Sequence, residues 1–219
     1  MSPYYLPFLG YFQLIAKVNT FIIFDDIKFQ KAGFSTSNKI KNNKIKIYIS
    51  ERNKNCFINK KFLSDEMLDY KIKLKKNLKL NYKSFNNEIF NELFFIPKNF
   101  SYFDFVFRQI NFVCEILDIK TKILISSKIS DTSSLKAEEK IFKLCKTIND
   151  GDYVNPEGGM KLYENKRDLF EMKNIKLTYF KYYPYIKKIK QNSIEEIKDD
   201  LSILHLLFTY TLSEIKSSL

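Results

Sequence analysis

The sequence predicts an α/β fold, a single domain with a central, at least partly parallel sheet flanked by helices, and three observations carry that prediction. At 219 residues the chain is long enough for one sizeable core and short for two. Hydrophobic residues make up 45% and charged residues 28%, the balance of a globular protein rather than a disordered one. Short β-rich runs alternate along the chain with segments of helical period, as in sheets whose strands are joined by helices.

The elements follow in order. Gly10 to Val18 has apolar residues at Tyr11, Phe12, Leu14, Ile15 and Val18, a helical stripe, and Thr20 to Phe24 reads as a buried strand ending at Asp25-Asp26. Lys44 to Ser50 alternates Lys with Ile and Tyr, a half-buried strand after the turn-prone Asn42-Asn43. Ser64 with Asp65 and Glu66 opens a helix to about Tyr82, acids early and lysines late as the helix dipole prefers. Asn87 to Ile96 predicts a short helix stopped by Pro97. Ser101 with Asp104 caps a helix whose buried face carries Phe105, Val106, Phe112, Val113, Ile116 and Leu117. Ile123 to Ser126 is a strand and Ser133 to Thr147 a helix. After Asp150-Gly151 come a strand at Tyr153-Val154 and the tight loop Asn155-Pro156-Glu157-Gly158-Gly159. Leu162 to about Met172 reads as helix, Ile175 to Phe180 as strand, and Ser202 caps a last helix over Ile203 to Ile215.

Composition excludes several classes. No apolar run approaches the roughly 20 residues of a membrane-spanning helix, and no signal-peptide pattern opens the chain, so a cytoplasmic location is expected. Cys56, Cys114 and Cys145 are widely spaced and odd in number, the pattern of reduced thiols rather than a disulfide framework or zinc site. The net charge of +12 attracts polyanions, but abundant Lys, Asn, Ile, Phe and Tyr without Trp is also what AT-biased coding gives. Only Arg52, Arg108 and Arg167 offer the planar fork that reads phosphate or guanine bidentately.

Glycines are few, and most flank candidate site segments. Pro3 to Phe12 is a rigid aromatic loop running into a helix, either a ligand loop with Tyr11 or a hydrophobic plug. Asp25-Asp26 ends a strand, where open α/β sheets collect ligand groups, and one of the two carboxylates suits a general base, a solvated strand end being the alternative. Lys31, Gly33 and Asn38 follow closely and add a cation, a close backbone approach and a planar amide. Asn155, Gly158 and Gly159, followed by Tyr163, offer backbone amides to a sugar or phosphate, or form an ordinary turn. His205, the lone histidine, sits in an apolar stretch and reads as a packed residue. No acid or histidine stands at metal-ligand spacing beside Asp25-Asp26, so no metal is expected, and no hydrolase triad can be assembled.

Taken in this order the segments resemble the WbqC-like family of bacterial proteins, encoded among genes for O-antigen and other surface polysaccharides. The carriers are Pro3-Tyr4-Tyr5-Leu6-Pro7-Phe8-Leu9-Gly10-Tyr11-Phe12, Phe24-Asp25-Asp26, Lys31-Ala32-Gly33-Phe34 with Asn38, Tyr82, Ile125-Ser126-Ser127, Asn155 to Gly159 with Tyr163, and Leu201-Ser202-Ile203. They span nearly the whole chain, which makes residues 1–219 one WbqC-like domain. The resemblance implies a transferase that passes glycine or another aminoacyl group to an amino sugar of a surface glycan. Asp25 or Asp26 would then take the amine proton, with Tyr11, Lys31, Asn38, Asn155, Gly158, Gly159 and Tyr163 positioning the substrates.

It further implies a nucleotide-linked or lipid-linked amino sugar as partner and an activated amino-acid donor, while the cofactor stays unknown. A non-catalytic sugar-binding or nucleotide-sugar-binding protein of the same pathway is the alternative, and a nucleic-acid-binding protein, revived by lysines clustered on one face, is the third. Three departures from the family pattern favour the non-catalytic binding reading. The family's usual opening strand ending in Gln-Pro has only Met1-Ser2 here, Ser37 stands where relatives have arginine, and His205 where they tend to have aspartate.

Overall fold

The structure is a computed structural model and describes residues 1–41, 43–51, 56–97, 101–188, 192–197 and 200–219. Its first helix, α1 (Leu9–Lys17), buries Leu9, Tyr11, Phe12, Leu14 and Ile15, and the chain then enters β1 (Thr20–Ile23). A short 3-10 turn over Gly33–Ser35 leads to the hairpin β2 (Ser37–Ile40) and β3 (Asn43–Lys46). Three helices follow, α2 (Glu66–Asn81), α3 (Asn87–Leu93) and α4 (Tyr102–Ile116), before β4 (Lys122–Ile125). Next come α5 (Ser126–Ile129), α6 (Ala137–Ile148) and β5 (Asp152–Pro156). The helices α7 (Met160–Tyr163) and α8 (Arg167–Met172) lead to β6 (Lys176–Phe180), then the hairpin β7 (Tyr185–Lys188) and β8 (Ser193–Glu196), and finally α9 (Ile203–Leu207) and α10 (Leu212–Lys216).

The predicted α/β class holds, with helices flanking parallel strands. β1 pairs in parallel with β4, Thr20 opposite Lys122 through Ile23 opposite Ile125, although 98 residues separate the ends of that register (122 − 24) in the chain. β5 and β6 form a second parallel pair, Asp152 opposite Lys176 through Pro156 opposite Phe180. The expected central sheet is thus divided among the described residues, since β1 and β5 line two sides of one cavity instead of pairing. The main core gathers Tyr5, Phe12, Phe90, Phe94, Phe105 and Phe208 around α1, α3, α4 and α9. A smaller one under β5 and β6 joins Ile141, Cys145, Tyr163, Phe170, Ile175 and Leu177. Helix α6 serves both regions, because Ile141 and Cys145 belong to the small core while its neighbour Lys140 reaches Asp26.

Two caps predicted from the sequence are made: Ser101 Oγ accepts from the Asp104 amide at 3.0 Å and Ser202 Oγ from the Leu204 amide at 3.2 Å. Helix α3 has a cap that the sequence reading did not name, Asn86 Oδ1 accepting from the Glu88 and Ile89 amides at 2.8 and 3.0 Å. Other expectations shift. The last helix is broken, because Thr209 Oγ1 turns back to the His205 carbonyl at 2.7 Å and Thr211 restarts the helix in a capping box with Glu214. Helix α6 begins at Ala137 rather than Ser133, since the Asp131 carboxylate holds the Ser133 amide in a local turn at 3.1 Å. The helix expected over 162–172 is interrupted by a 3-10 turn at Glu164–Lys166, where Glu164 accepts from the Arg167 guanidinium at 3.0 and 2.8 Å. The strand expected over 44–50 ends at Lys46, and of the predicted Asn42-Asn43 turn, Asn42 lies outside the described residues while Asn43 opens β3.

Candidate functional site

Strands β1 and β4 deliver their carboxyl ends side by side, and there Asp25 and Asp26 meet Ser126 and Ser127 from a hundred residues away. Both aspartates lie past the last residue of β1, where the alternation expected of a strand no longer holds, and the two carboxylates converge on Ser126 while their other partners differ. Asp25 Oδ1 accepts from the Ser126 hydroxyl and the Ser127 amide, each at 3.0 Å, and Oδ2 from the Ser127 hydroxyl at 2.6 Å and Asn59 Nδ2 at 3.0 Å. Asp26 Oδ1 faces the Ser126 hydroxyl and the Lys140 ammonium, the latter at 2.8 Å, and Oδ2 accepts from the Thr132 hydroxyl at 2.6 Å. Ser126 has one proton for both carboxylates, so it serves one at a time.

The Asp26 and Lys140 side chains are only 5% and 4% exposed, so this is a buried ion pair. Burial alone would raise the Asp26 pKa, but hydrogen bonds from Lys140, Ser126 and Thr132, with the ammonium's charge, carry it below the ordinary carboxylate value. Asp26 is therefore held ionised, and a carboxylate held this way is a poor proton acceptor at neutral pH. Lys140 also donates to the Asp26 carbonyl at 3.2 Å, which ties α6 to the end of β1.

A second cluster forms around one carbonyl. Leu6 is buried with φ of 45°, a left-handed conformation that costs a residue with a branched side chain roughly 1–3 kcal/mol. Its oxygen accepts from both Asn38 Nδ2 and Ser202 Oγ at 2.8 Å, and the Ile203 amide donates to Pro7 O at 2.7 Å. Asn38 also turns its Oδ1 to the Lys39 amide at 2.8 Å, so its amide group is spent on the fold. Tyr11 is 1% exposed, its hydroxyl donates to Ser2 O at 3.1 Å, and burial raises its pKa well above the usual value. Phe8 of the aromatic loop packs against rings from distant segments, Phe34 and Tyr182, at centroid distances of 5.7 and 5.4 Å. Lys31 stands on the surface, paired with Glu51 at 2.6 Å.

Near the carboxyl end of β5, Asn155 is 7% exposed, its Oδ1 accepts from the Tyr153 hydroxyl at 3.2 Å, and its Nδ2 is buried with no hydrogen-bond partner. Gly159 lies against that amide so closely that a Cβ there would sit 2.2 Å from Nδ2, whereas Gly158 faces open space. Tyr163 turns into the small core against Tyr153 and Phe170. Between β1 and β5, over α6, lies a cavity of about 260 Å³. Thr20, Asn19, Asp150, Asp152 and Asn155 supply polar groups to its lining, and Phe21, Phe24 and Tyr153 supply ring surface.

The structure therefore brings Asp25 and Asp26 together, joins Asn155 to Phe24 along one cavity, and sends Tyr11, Asn38 and Tyr163 into packing and Lys31 outward. Sequence reasoning missed Lys140, Thr132 and Asn59. Lys140 left a signal, since it stands on the inward stripe of α6 with Ile141, Leu144 and Cys145, where a cation needs a buried partner. Likewise Tyr82 and His205, two separate motif positions, are partners, the hydroxyl lying 2.8 Å from Nδ1. Burial and the nearby Lys41 charge push the His205 pKa down to about 4, while burial pushes Tyr82 up to about 12. At neutral pH the phenol thus donates to a neutral imidazole. Among the described residues no cluster of three His, Cys, Asp or Glu stands ready to hold a metal ion.

The fold and its polar groups define the class, an α/β protein whose parallel strands carry a polar mouth at their carboxyl ends beside a ring-lined cavity. The chain belongs to the WbqC-like protein family, whose family model matches residues 2–217. No curated protein and no solved structure matches it significantly. Membership fits a role in polysaccharide biosynthesis. No helix among the described residues is long and apolar enough to cross a membrane.

Proposed function

We propose that this protein takes an amino sugar, carried on a nucleotide or a lipid, during assembly of a bacterial surface polysaccharide such as O-antigen, and transfers a glycyl or other aminoacyl group to its amine in the cytoplasm. Family membership supports a polysaccharide pathway, and the observation that supports a sugar ligand is the cavity between β1 and β5. Amide and hydroxyl groups facing aromatic rings suit a sugar's mixed polar and apolar faces. Asp150 and Asp152 line the cavity together with Lys17, so charged groups of both signs are at hand for a sugar's polar substituents. At about 260 Å³ it is smaller than the roughly 300–1,000 Å³ of sites for drug-sized ligands, so it suits one sugar ring with the carrier outside. Asn155 Nδ2, buried without a partner, gains a hydrogen bond when a sugar hydroxyl arrives. In transfer, the sugar amine loses a proton and attacks the acyl carbon of the activated donor, whose leaving group departs. Asp25 is the carboxylate proposed to take that proton, because Asp26 is bound to Lys140, and the Gly158 and Gly159 amides face the donor.

The second reading, a sugar-binding protein without transfer, is favoured by one observation: every carboxylate oxygen of Asp25 and Asp26 already accepts from a protein donor. The melting midpoint of the purified protein, with and without a nucleotide-linked amino sugar, tests the shared part. A rise larger than the nucleotide alone gives supports both readings, and equal rises or none removes them. Asp25→Asn then separates the two. Lost aminoacyl transfer with binding kept supports transfer through Asp25, and unchanged turnover takes the base role from it.

A further inference from the structure

Between Tyr70 and Asn87 the chain carries six lysines and no acid, and between Ser37 and Ser50 four more and no acid. The two stretches touch. Tyr70 of α2 accepts from the Lys46 amide at 3.0 Å, and Lys41 Nζ reaches the Asn81 carbonyl at the end of α2 at 2.9 Å. A large part of the net charge of +12 is thereby gathered on two neighbouring elements.

Helix α2 buries Met67, Leu74 and Leu78, a single line at spacings of seven and four. Its other sides carry Leu68, Ile72 and Leu80, which are 53%, 57% and 86% exposed, set among the exposed Lys73, Lys76 and Lys79. Aliphatic side chains left in water on a second face gain nothing from this fold. They fit a surface that is apolar just beneath a layer of negative charge.

We propose that α2 and the β2–β3 hairpin dock the protein on an anionic lipid bilayer, lying in its interface. The ammonium groups stay at the level of the lipid phosphates, while the lysine stems and Leu68, Ile72 and Leu80 enter the acyl boundary. The same face argues against RNA as the occupant. Base stacking needs exposed rings, and here Tyr70 turns against Tyr48 at 5.1 Å while Tyr82 lies buried under Lys41. No arginine occurs between Arg52 and Arg108 to supply bidentate phosphate contacts. The docking surface lies outside the sugar cavity and does not rest on the sugar reading.

Co-sedimentation of the full chain with phosphatidylglycerol vesicles and with phosphatidylcholine vesicles tests the proposal. The expected result is binding to the anionic vesicles alone. Lys73→Glu with Lys76→Glu and Lys79→Glu lowers the apparent affinity by more than about a hundredfold, since each lysine contributes about a fivefold factor near such a surface. Ile72→Gln with Leu80→Gln abolishes whatever binding survives high salt, because the apolar part is not screened. Should the α2 variants melt early, Lys44→Glu with Lys46→Glu on the hairpin carries the same expectation of weakened binding. Wild-type protein that stays in the supernatant with anionic vesicles overturns the proposal. So does a well-folded triple variant that sediments like wild type, including one that has lost only binding to single-stranded RNA.

Discussion

A buried lysine beside a buried aspartate keeps its charge at low cost only while the aspartate keeps its own. Asp26→Asn leaves the Lys140 ammonium in a site 4% exposed with no counter-charge, and the expected loss is about 3–5 kcal/mol of stability, measured by urea unfolding. Pairing that change with Lys140→Met restores most of the loss, because both charges then leave together. His205 gives a pH dependence with a definite sign. Its folded pKa of about 4 lies below the ordinary 6.5, so between those values the unfolded chain binds a proton that the folded chain refuses. Stability is complete above pH 6.5 and falls as pH drops toward 4, by up to about 3 kcal/mol. Melting midpoints across that range, compared with His205→Gln, which has no such group, check the size. Asp26 adds a later loss. Its folded pKa is lowered, so its contribution is present above the ordinary value of 3.8 and disappears as pH falls through the lower one.

The loop before α1 and the turn after β5 are each held by a few atoms. Asn38→Ala removes one of the two donors to the Leu6 carbonyl, leaving Ser202 alone to hold a residue in a left-handed conformation. A loss of about 1–3 kcal/mol in denaturant unfolding is expected. Gly159→Ala drives a methyl to 2.2 Å from the Asn155 amide, an overpacking expected to cost about 1–3 kcal/mol and to displace the amide next to the cavity. At this scale the sequence was legible where local chemistry decides. Ser101 and Ser202 announced α4 and α9, and β1 showed as a β-rich run before two aspartates. The hairpins were not legible, because β2, β7 and β8 mix lysine, asparagine and glutamate and their pairing depends on a neighbour instead of an apolar stripe. The break between α9 and α10 was written in Thr211 and Glu214, a capping box inside an apolar run that hid it.

Across the whole molecule, motif residues far apart in the chain prove to be each other's partners: Asp25 and Asp26 with Ser126, Leu6 with Asn38 and Ser202, Tyr82 with His205. Sequence alone marks such residues without saying who meets whom, since each pair joins elements brought together only by the complete fold. That is why Asn38 and Tyr11 read as ligand groups and serve as fastenings. It also explains why the cavity, formed where β1 and β5 stay apart, was invisible as a unit while Asn155 at its edge was not. The ligand claim stands on that cavity. The most direct measurement is a titration of isotope-labelled protein with a nucleotide-linked amino sugar, followed by amide resonances. The account predicts shifts centred on the Asn155 side-chain amide and on the backbone amides of Asn19–Asp25 and Asp150–Asn155. Unmoved signals there, or shifts confined to α2 and the β2–β3 hairpin, would contradict it.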